Sequence, residues 1–487
     1  MNQMKLKKNM AIFSPRALAL AIPFVLASCS QMPVYEKPKV DMPKVWAQSL
    51  PASVQQAQMT EAQWWDSLSG DKVLYQLIKK GRKQNKDMQL AILRLKQTRA
   101  YLIQAQSGSY PEIDATASAE RTKVSKQAYS IGSGAEYSNY SLGGLVTYEL
   151  DIWGRVSSLK TAAEASLKAT QADKEAVELN VSSAIATAYL NLRALDHSVI
   201  LAQDTVTSRQ EALELRKKQL QLGSITPLSV QQAEAELASV EVSLYKLKEQ
   251  RDLQRHALSL LLGESPKEIL TESQQPDGKA FKDHKTLSVP VGIPSDLLLR
   301  RPDIVAAEQN LIAANANIGV ARASLFPSIS LTGVLGLQSQ SLSNLFNDNA
   351  LGWNAGANLT VPIFDYGKRQ ANVEISKADK QAMLIKYQDA VKNGFAQTLD
   401  ALTQYHASQL QLQAQQRQVS ALSNSLALAK KRFDAGYSSY LEVLDAQRSL
   451  FNAQLSYVNT RLKHYNSLVA LYKAIGGSWG VKVQTKT

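Results

Sequence analysis

The sequence predicts a mixed α+β membrane protein in which two copies of one architecture are joined in a single chain. Three observations lead to this prediction: landmark glycines recur at a fixed separation, short stretches alternate between apolar and polar residues, and two very long stretches lack proline. The fixed separation indicates an internal two-fold repeat, the alternation indicates strands, and the proline-free stretches indicate helices. We therefore expect four strands and four long helical segments per chain.

The glycine landmarks place the repeat. Three pairs of glycines are each separated by 213 residues, and a tract that ends in an aromatic residue and a proline recurs upstream at a separation of 216. The change from 216 to 213 indicates a three-residue insertion or deletion between the landmarks. The pairs are Gly154 with Gly367, Gly223 with Gly436, Gly263 with Gly476, and Pro111 with Pro327.

The N-terminus predicts export and lipidation. Residues 1–28 carry basic residues, an apolar run over 17–27 and no acidic residue, which is the layout of a signal peptide. The run is too short to span a bilayer. Its end, Leu26-Ala27-Ser28-Cys29, resembles the lipobox at which bacterial lipoproteins are cleaved and lipidated on cysteine. Ser30, in place of the aspartate that marks retention at the inner membrane, favours the outer membrane; an ordinary signal with an incidental cysteine is the alternative.

Proline and glycine positions divide the rest of the chain. A lipidated N-terminal segment, 29–60, precedes the first repeat, 61–262; a periplasmic linker, 263–296, separates it from the second repeat, 297–476, and a tail covers 477–487. In the first repeat we predict strands at about 113–123 and 140–151, a long helix over 155–222 and a return helix over 226–262. In the second repeat we predict strands at about 328–338 and 353–363, a long helix over 368–435 and a return helix over 440–475.

The predicted strands have the length and pattern of membrane strands. In 353–363 apolar and polar residues alternate, and a stretch of ~9–11 residues is enough to cross a bilayer at a tilt. Four aromatic residues fall at one end of the strands, as in an interfacial belt. Strands of a soluble sandwich are the alternative. The aromatic residues are Tyr110, Trp153, Phe326 and Tyr366.

Four strands do not close a sheet. An open sheet in lipid leaves edge hydrogen-bonding groups unsatisfied, which costs several kcal/mol for each group. Closure therefore requires other copies of the chain. Two copies leave little room for a lumen, whereas three give a 12-stranded transmembrane β-barrel, four strands per chain. We expect a trimeric channel-tunnel in which a periplasmic α-helical barrel continues the β-barrel, although strand counting also allows four copies.

The helical segments predict coiled-coil packing. The proline-free stretch 155–222 spans ~100 Å as one helix, and so long a helix needs neighbours along its length. After the second turn, apolar residues recur at steps of four and three, which is the heptad pattern. Arg448 interrupts this pattern, close to Asp445. The recurring residues are Leu444, Phe451, Leu455, Val458, Leu462, Tyr465, Val469 and Tyr472.

One segment resembles a known family closely. The run Ile293-Pro294-Ser295-Asp296-Leu297-Leu298-Leu299-Arg300-Arg301-Pro302-Asp303-Ile304, together with Tyr148-Glu149-Leu150-Asp151-Ile152-Trp153-Gly154 and Leu444-Asp445-Ala446-Gln447-Arg448, resembles the TolC/OprM-like outer-membrane efflux lipoproteins. The resemblance covers essentially the mature chain. It implies a homotrimeric outer-membrane channel of a tripartite pump, coupled to a periplasmic adaptor (membrane fusion protein) and an inner-membrane resistance-nodulation-division transporter, which passes drugs or other small toxic compounds to the exterior.

The resemblance also implies a periplasmic gate at Leu441, Asp445 and Arg448. Their spacing of four and three puts them on one helical face, where Leu441 could narrow the lumen and Asp445 could pair with Arg448 between hairpins. The residues 213 positions earlier are Leu228, Gln232 and Ala235, so we expect no polar network in the first hairpin. A solvated surface pair is the alternative for Asp445 and Arg448.

The turns between the paired helices are the predicted adaptor contacts, with plain helix-capping chemistry as the alternative for the glycines. The turn residues are Gly223, Ser224, Ile225 and Thr226 in the first hairpin, and Gly436, Tyr437, Ser438 and Ser439 in the second.

Other function classes fit the sequence poorly. Five histidines make no metal-ligand spacing, and the sequence has no nucleophile elbow or phosphate loop, so we expect no enzyme, no cofactor and no metal. The net charge of +13 is spread widely, and an exported chain does not meet nucleic acid. A duct for type I protein secretion or metal efflux, or a structural tether between outer membrane and cell wall, remains as an alternative.

Overall fold

The computed structural model describes residues 30–40, 61–70, 72–125, 136–270 and 300–477, and it is mostly helical with one small sheet. This agrees with the predicted mixed α+β class. Among these residues no helix combines the length and the apolar character needed to cross a membrane. The helices are α1 (Glu61–Ser69), α2 (Val73–Gln84), α3 (Lys86–Ser107), α4 (Arg155–Gln221), α5 (Pro227–Leu262), α6 (Pro266–Leu270), α7 (Pro302–Ala323), α8 (Lys368–Asp434) and α9 (Tyr440–Ala474). The strands are β1 (Glu112–Lys123), β2 (Glu136–Leu150), β3 (Ser328–Ser339) and β4 (Leu351–Thr360).

Two strand ends lie more than two residues from the predicted bounds. β4 ends at Thr360 rather than 363, because Pro362 has no backbone N–H with which to continue the ladder. β2 begins at Glu136 rather than 140, because its first residue pairs with Lys123 of β1. An ion pair of 3.0 Å joins the side chains of these two residues and holds the hairpin together beyond its apolar part.

The four strands form one antiparallel sheet in the order β1-β2-β3-β4. β2 pairs with β3 from Tyr140 opposite Ser339 to Leu150 opposite Ile329, so the central ladder joins the two sequence halves. β1 pairs only with β2 and β4 only with β3 within this sheet. Among the described residues, each outer edge of the sheet is therefore unpaired.

The chain divides into two compact units that do not follow the sequence repeats. Of the described residues, unit 1 takes those within 1–39, 95–170 and 306–387, and unit 2 takes those within 40–94, 171–305 and 388–487. Each unit collects segments from both halves of the chain. Neither predicted repeat is therefore a compact unit by itself, as expected for strands and helices that pair across the two halves.

In unit 1 the N-terminal residues 30–39 lie along the helices without regular secondary structure; we call them the strap. The backbone N–H of Gln31 donates to the carbonyl of Trp153 at 3.3 Å. Met32 crosses α7 at Gly319, where an added Cβ would lie 2.8 Å from the Met32 Cα. The strap therefore needs a residue without a side chain at position 319.

Two further contacts hold the strap. The Asn315 side-chain amide donates to the carbonyl of Pro33 at 2.7 Å, and the Lys37 ammonium pairs with the Glu308 carboxylate at 2.8 Å. Burial, with the negative charge of Glu308 adding to it, raises the pKa of Tyr35 to about 12. The tyrosine hydroxyl therefore stays protonated beside the ion pair.

Unit 2 has a large apolar core in which an aromatic cluster joins α1 to α9. The Trp64 ring stacks on Tyr472 with centroids 4.2 Å apart, and the Trp65 ring meets the same tyrosine at 4.9 Å. Most of the predicted heptad residues of α9 are buried here or nearer the hairpin turn, as knobs-into-holes packing requires. The buried ones are Leu444, Phe451, Val458, Tyr465, Val469 and Tyr472.

Arg301, from the segment that carries the family resemblance, organises the start of α7 in unit 2. Its guanidinium is only 6% exposed and donates to the Ala474 carbonyl at 2.8 Å, the Gln397 side chain at 2.8 Å and both carboxylate oxygens of Asp303. In the first half, the buried Asn85 donates to the Leu261 carbonyl at 2.9 Å. Positions 85 and 301 differ by 216 and positions 261 and 474 by 213, so equivalent sites make the same contact with different side chains.

Candidate gate site

The long and return helices pair as two hairpins: α4 with α5 is hairpin 1, and α8 with α9 is hairpin 2. Each long helix ends at a glycine with positive φ, +71° at Gly223 and +78° at Gly436. The amide N–H of the next residue, Ser224 or Tyr437, donates to the carbonyl five residues earlier, as in a Schellman cap. The glycines therefore terminate the helices, which agrees with the alternative interpretation of these positions as helix caps.

Most predicted contact residues at the two turns are exposed. Tyr437 is 79% exposed, and the neighbouring Leu222 is 82% exposed. Ile225 and Ser438 are half-buried. The turns therefore present apolar and small polar groups on an accessible surface. The remaining exposed positions are Gly223, Ser224, Thr226, Gly436 and Ser439.

Beyond the turn, the three predicted gate residues lie along one side of α9. Leu441 is 49% exposed, and the side chains of Asp445 and Arg448 are 60% and 53% exposed. The Arg448 guanidinium donates to the Asp445 carboxylate at 3.3 Å within the same helix. Within the single chain the two residues therefore pair along one helix, and their pairing between neighbouring hairpins stays a prediction.

The contact between hairpins is made by a residue that the sequence reasoning missed. The second guanidinium nitrogen of Arg448 donates to the carboxylate of Glu236 on α5, and the Glu236 side chain is 10% exposed. This bond, followed by the attraction of Glu236, raises the pKa of Arg448 above its usual range. The predicted absence of a polar network from hairpin 1 was based on positions 228, 232 and 235, and Glu236 lies one position beyond them.

A second arginine lies close to the same carboxylate. Arg209 of α4 is 6% exposed, and burial lowers its pKa while the negative charge of Glu236 opposes that shift. Glu236 is thus a nearly buried acid between one buried and one exposed base. The exposed base, Arg448, is the partner that water can solvate when the pair separates, while Glu236 keeps the charge of Arg209 nearby.

This arrangement can act as a latch. An ion pair between two helical hairpins holds them together while both charges are present, and water can solvate Arg448 once the pair separates. Leu441 lies on the same helix, four residues before Asp445. A movement of α9 that breaks the pair therefore also moves Leu441.

The strand ends carry the other predicted functional feature, in unit 1. The Trp153 ring stacks on Phe326 with centroids 4.6 Å apart, and its Nε1–H donates to the Pro327 carbonyl at 2.7 Å. Tyr110 and Tyr366 are 71% and 92% exposed. Cys29, the predicted lipid attachment site, lies outside the described residues. Within those residues no group of three or more His, Cys, Asp or Glu side chains could hold a metal ion.

Comparison with known proteins places the chain in a family. The family model described as "Outer membrane efflux protein" matches residues 77–264 and 293–477. The cation efflux system protein CusC of Escherichia coli is 31% identical over 95% of this chain and 99% of its own length. The toluene efflux pump outer membrane protein TtgC of Pseudomonas putida is 34% identical over 95% of each chain.

The fold agrees with the same assignment. The open state of the MtrE outer membrane channel of Neisseria gonorrhoeae superposes with a TM-score of 0.80 at 30% identity, covering 92% of this chain and 98% of that one. The predicted family and the predicted outer-membrane location are thereby confirmed. The chain belongs to the outer membrane efflux protein family.

Proposed function

We propose that this protein is the trimeric exit channel of a tripartite efflux pump, gated at its periplasmic end by the contact between hairpins 1 and 2. The observation that carries the proposal is the network of Arg448, Asp445 and Glu236 beside the hairpin turns. In an efflux protein of the outer membrane, such a contact between helical ends is suited to closing the duct at rest.

The open sheet supports assembly into a barrel. β1 and β4 each lack a second neighbour within the sheet, and unpaired strand edges are not tolerated in lipid. Pairing of β4 with β1 of the next copy satisfies both edges at once, and three copies give twelve strands. Exposed apolar side chains on the strands provide the lipid-facing surface. They include Ile113, Leu335, Trp353 and Leu359.

The latch supports gating. Three copies place Leu441 around a common axis, where an apolar ring opposes the passage of hydrated solutes. Glu236 and Arg448 hold each copy of α9 against hairpin 1 of its own chain. Opening then requires this ion pair to separate.

The exposed turns support contact with a periplasmic adaptor, which would in turn connect the channel to an inner-membrane resistance-nodulation-division transporter. Tyr437 offers an aromatic anchor group there, of a kind enriched among the residues that dominate binding energy, and Leu222 adds exposed apolar surface beside it. Lipidation of Cys29 is supported by the strap, which holds residue 31 against Trp153 near the strand ends.

The proposed cargo is small toxic compounds. CusC belongs to a cation efflux system and TtgC to a toluene efflux pump, so one channel architecture serves chemically different cargoes. We infer that the transporter selects the substrate and that this chain provides a passive exit. Relatives named as efflux components give no support to a structural tether.

Two measurements test the proposal. Native mass spectrometry of the purified protein should give three times the mass of one chain, whereas a stable monomer or dimer would contradict the barrel. Deletion of the gene in its host should raise the accumulation of a fluorescent efflux dye, and the intact gene should restore the low level. A deletion that leaves dye accumulation unchanged, across dyes of differing charge, would contradict the efflux role.

A further inference from the structure

A buried cation joins the two hairpins at their turns, apart from the latch. Arg216 of α4 is 7% exposed. Its guanidinium carbon lies 3.9 Å from the ring centroid of Tyr440 and 4.8 Å from that of Phe433, and Nη1 donates to the Gln219 side chain at 2.8 Å. A desolvated guanidinium over aromatic faces is attracted by the negative potential of the rings.

The two rings belong to different helices of hairpin 2. Phe433 precedes the turn on α8, and Tyr440 follows it as the first residue of α9. Their centroids are 5.6 Å apart. One side chain of hairpin 1 therefore contacts both helices of hairpin 2, on either side of the turn at Gly436.

Tyr440 is also packed into the apolar core of hairpin 1. Its ring contacts a small cluster contributed by both helices of that hairpin. The next residue, Leu441, is half-exposed. The position of Leu441 therefore depends on how firmly Tyr440 is held. The cluster consists of Leu213, Val230 and Ala233, with Leu220 and Ile225 beside it.

The sequence repeat gives no reason for this contact. The position equivalent to Arg216 in hairpin 2 is Ala429, which is buried, and the position equivalent to Tyr440 in hairpin 1 is Pro227. The cation and its aromatic partners thus occur once per chain. A single contact of this kind gives hairpin 2 a fixed point on hairpin 1.

We propose that Arg216 is a positioning residue for the gate: with Phe433 and Tyr440 it forms a pivot that holds the turn of hairpin 2 on hairpin 1. The pivot keeps Leu441 in the closed arrangement, and α9 swings about it when the latch of Glu236 and Arg448 opens. This inference rests on the proposed gating function.

Single-channel recordings in KCl test the pivot in the full-length trimer. The change Arg216→Gln removes the charge but keeps a planar polar group of similar length, and we expect it to raise the open fraction at least tenfold. Arg216→Lys keeps a cation and should restore most of the closed state. Tyr440→Phe keeps the ring and should behave as wild type, whereas Tyr440→Leu should open the channel. Lys217→Gln, on the exposed side of the same turn of α4, is the matched control.

The salt dependence separates the pivot from a surface ion pair. At 1 M salt the Debye length is about 3 Å, so exposed pairs are screened while a buried guanidinium on a ring is not. The increase in open fraction caused by Arg216→Gln should therefore persist between 0.1 and 1 M KCl. An increase caused by a general loss of surface charge would instead disappear as the salt concentration rises. Thermal unfolding of each variant, followed in parallel, identifies any change that merely unfolds the turn.

Three outcomes are distinguishable. An open Arg216→Gln channel with rescue by lysine supports the pivot. A closed Arg216→Gln channel beside an open Glu236→Gln channel overturns the pivot and leaves the proposed gate standing. Absence of conductance in the wild type and in every variant overturns the proposed channel itself, and the pivot with it.

Discussion

Hairpin 1 and hairpin 2 share one order of elements, yet they carry opposite charges where they meet. Hairpin 1 contributes the nearly buried Glu236, whose equivalent in hairpin 2 is Ser449; hairpin 2 contributes Arg448, whose equivalent in hairpin 1 is Ala235. Two identical hairpins would lack the ion pair, because a copy of hairpin 1 places alanine at position 448 and a copy of hairpin 2 places serine at position 236. The duplication thus accounts for the backbone that the two hairpins share. The ion pair on which the proposed gate depends comes from residues that differ between the two halves.

The largest loss of stability should come from the buried contact of Arg301 with the Ala474 carbonyl. The first half makes the equivalent contact with the neutral side chain of Asn85. Arg301→Ala removes a buried cation and leaves the Gln397 side chain without its donor, while the Ala474 carbonyl keeps only the longer bond from the Thr398 hydroxyl at 3.2 Å. Hydrogen bonds of a charged group contribute ~1.5–3 kcal/mol each, and this change removes several of them together. Denaturant unfolding of the purified protein should show this loss.

The first half provides the control for that experiment. Asn85→Ala removes a neutral donor to the Leu261 carbonyl and an N-cap of α3, so we expect a smaller loss of ~1–2 kcal/mol. Equal losses in the free energy of unfolding for Asn85→Ala and Arg301→Ala would contradict the view that the charge of Arg301 stabilises the second half more than a neutral donor does.

A second contrast concerns the strap, which crosses α7 but not α3. The residue equivalent to Gly319 is Ile103, which is 67% exposed. Gly319→Ile should collide with Met32, at a cost of ~1–3 kcal/mol for overpacking. Hydrogen exchange of residues 30–39 should become faster. The matched change Ile103→Val should leave their exchange as in wild type, and slow exchange in Gly319→Ile would contradict the close contact.

A third contrast involves pH. Burial lowers the pKa of His464. The imidazole ring of His464 forms a hydrogen bond of 3.1 Å with the Ser408 hydroxyl. The residue equivalent to His464 in the first half is Arg251, which pairs with Asp252. A histidine with a depressed folded-state pKa binds protons mainly in the unfolded state. The free energy of unfolding should therefore fall as the pH drops below about 6.5, by up to ~1.4 kcal/mol per pH unit.

Substitution separates His464 from the other histidines. His464→Gln should reduce the slope of stability against pH between 6.5 and 5, and His406→Gln, at an exposed position, should retain it. Burial lowers the pKa of His197 as well, so a residual slope is expected in the first variant. An unchanged slope in His464→Gln would show that the buried ring does not contribute.

The smallest change in stability should come from the exposed pair of Asp445 and Arg448 in hairpin 2. Asp445 and Arg448 are both more than half exposed, and such pairs contribute ~0–1 kcal/mol. Asp445→Asn should change stability by less than about 0.5 kcal/mol and should open the channel less than Glu236→Gln does. A larger opening by Asp445→Asn would make the pair within α9, not the pair between hairpins, the latch.

Much of the fold could be predicted from sequence because its boundaries lie at residues with fixed backbone preferences. Gly223 and Gly436 end the long helices, and alternation indicates the strands. The two shifted strand ends have local causes: Pro362 stops β4, and the side-chain pair of Glu136 with Lys123 extends β2. A closer weighting of proline could have found the first.

The candidate site was predictable only in part. Spacing and resemblance indicated Asp445 and Arg448, because both lie on one helix and one-dimensional periodicity describes one helix well. Glu236 and Arg216 were missed, because their roles depend on how hairpin 1 packs against hairpin 2. Each of them is a charged residue at a buried position of its helix. A heptad assignment for α4 and α5 could have identified these positions from the sequence.

The central claim, that Glu236 holds the channel closed through Arg448, is tested most directly by single-channel conductance of wild type, Glu236→Gln and Glu234→Gln in planar bilayers. Glu234 is an exposed carboxylate on the same helix and serves as the matched control. We predict a low open fraction for wild type and Glu234→Gln, and an increase of about tenfold or more for Glu236→Gln, equivalent to ~1.4 kcal/mol or more. Equal open fractions for all three proteins would contradict the latch.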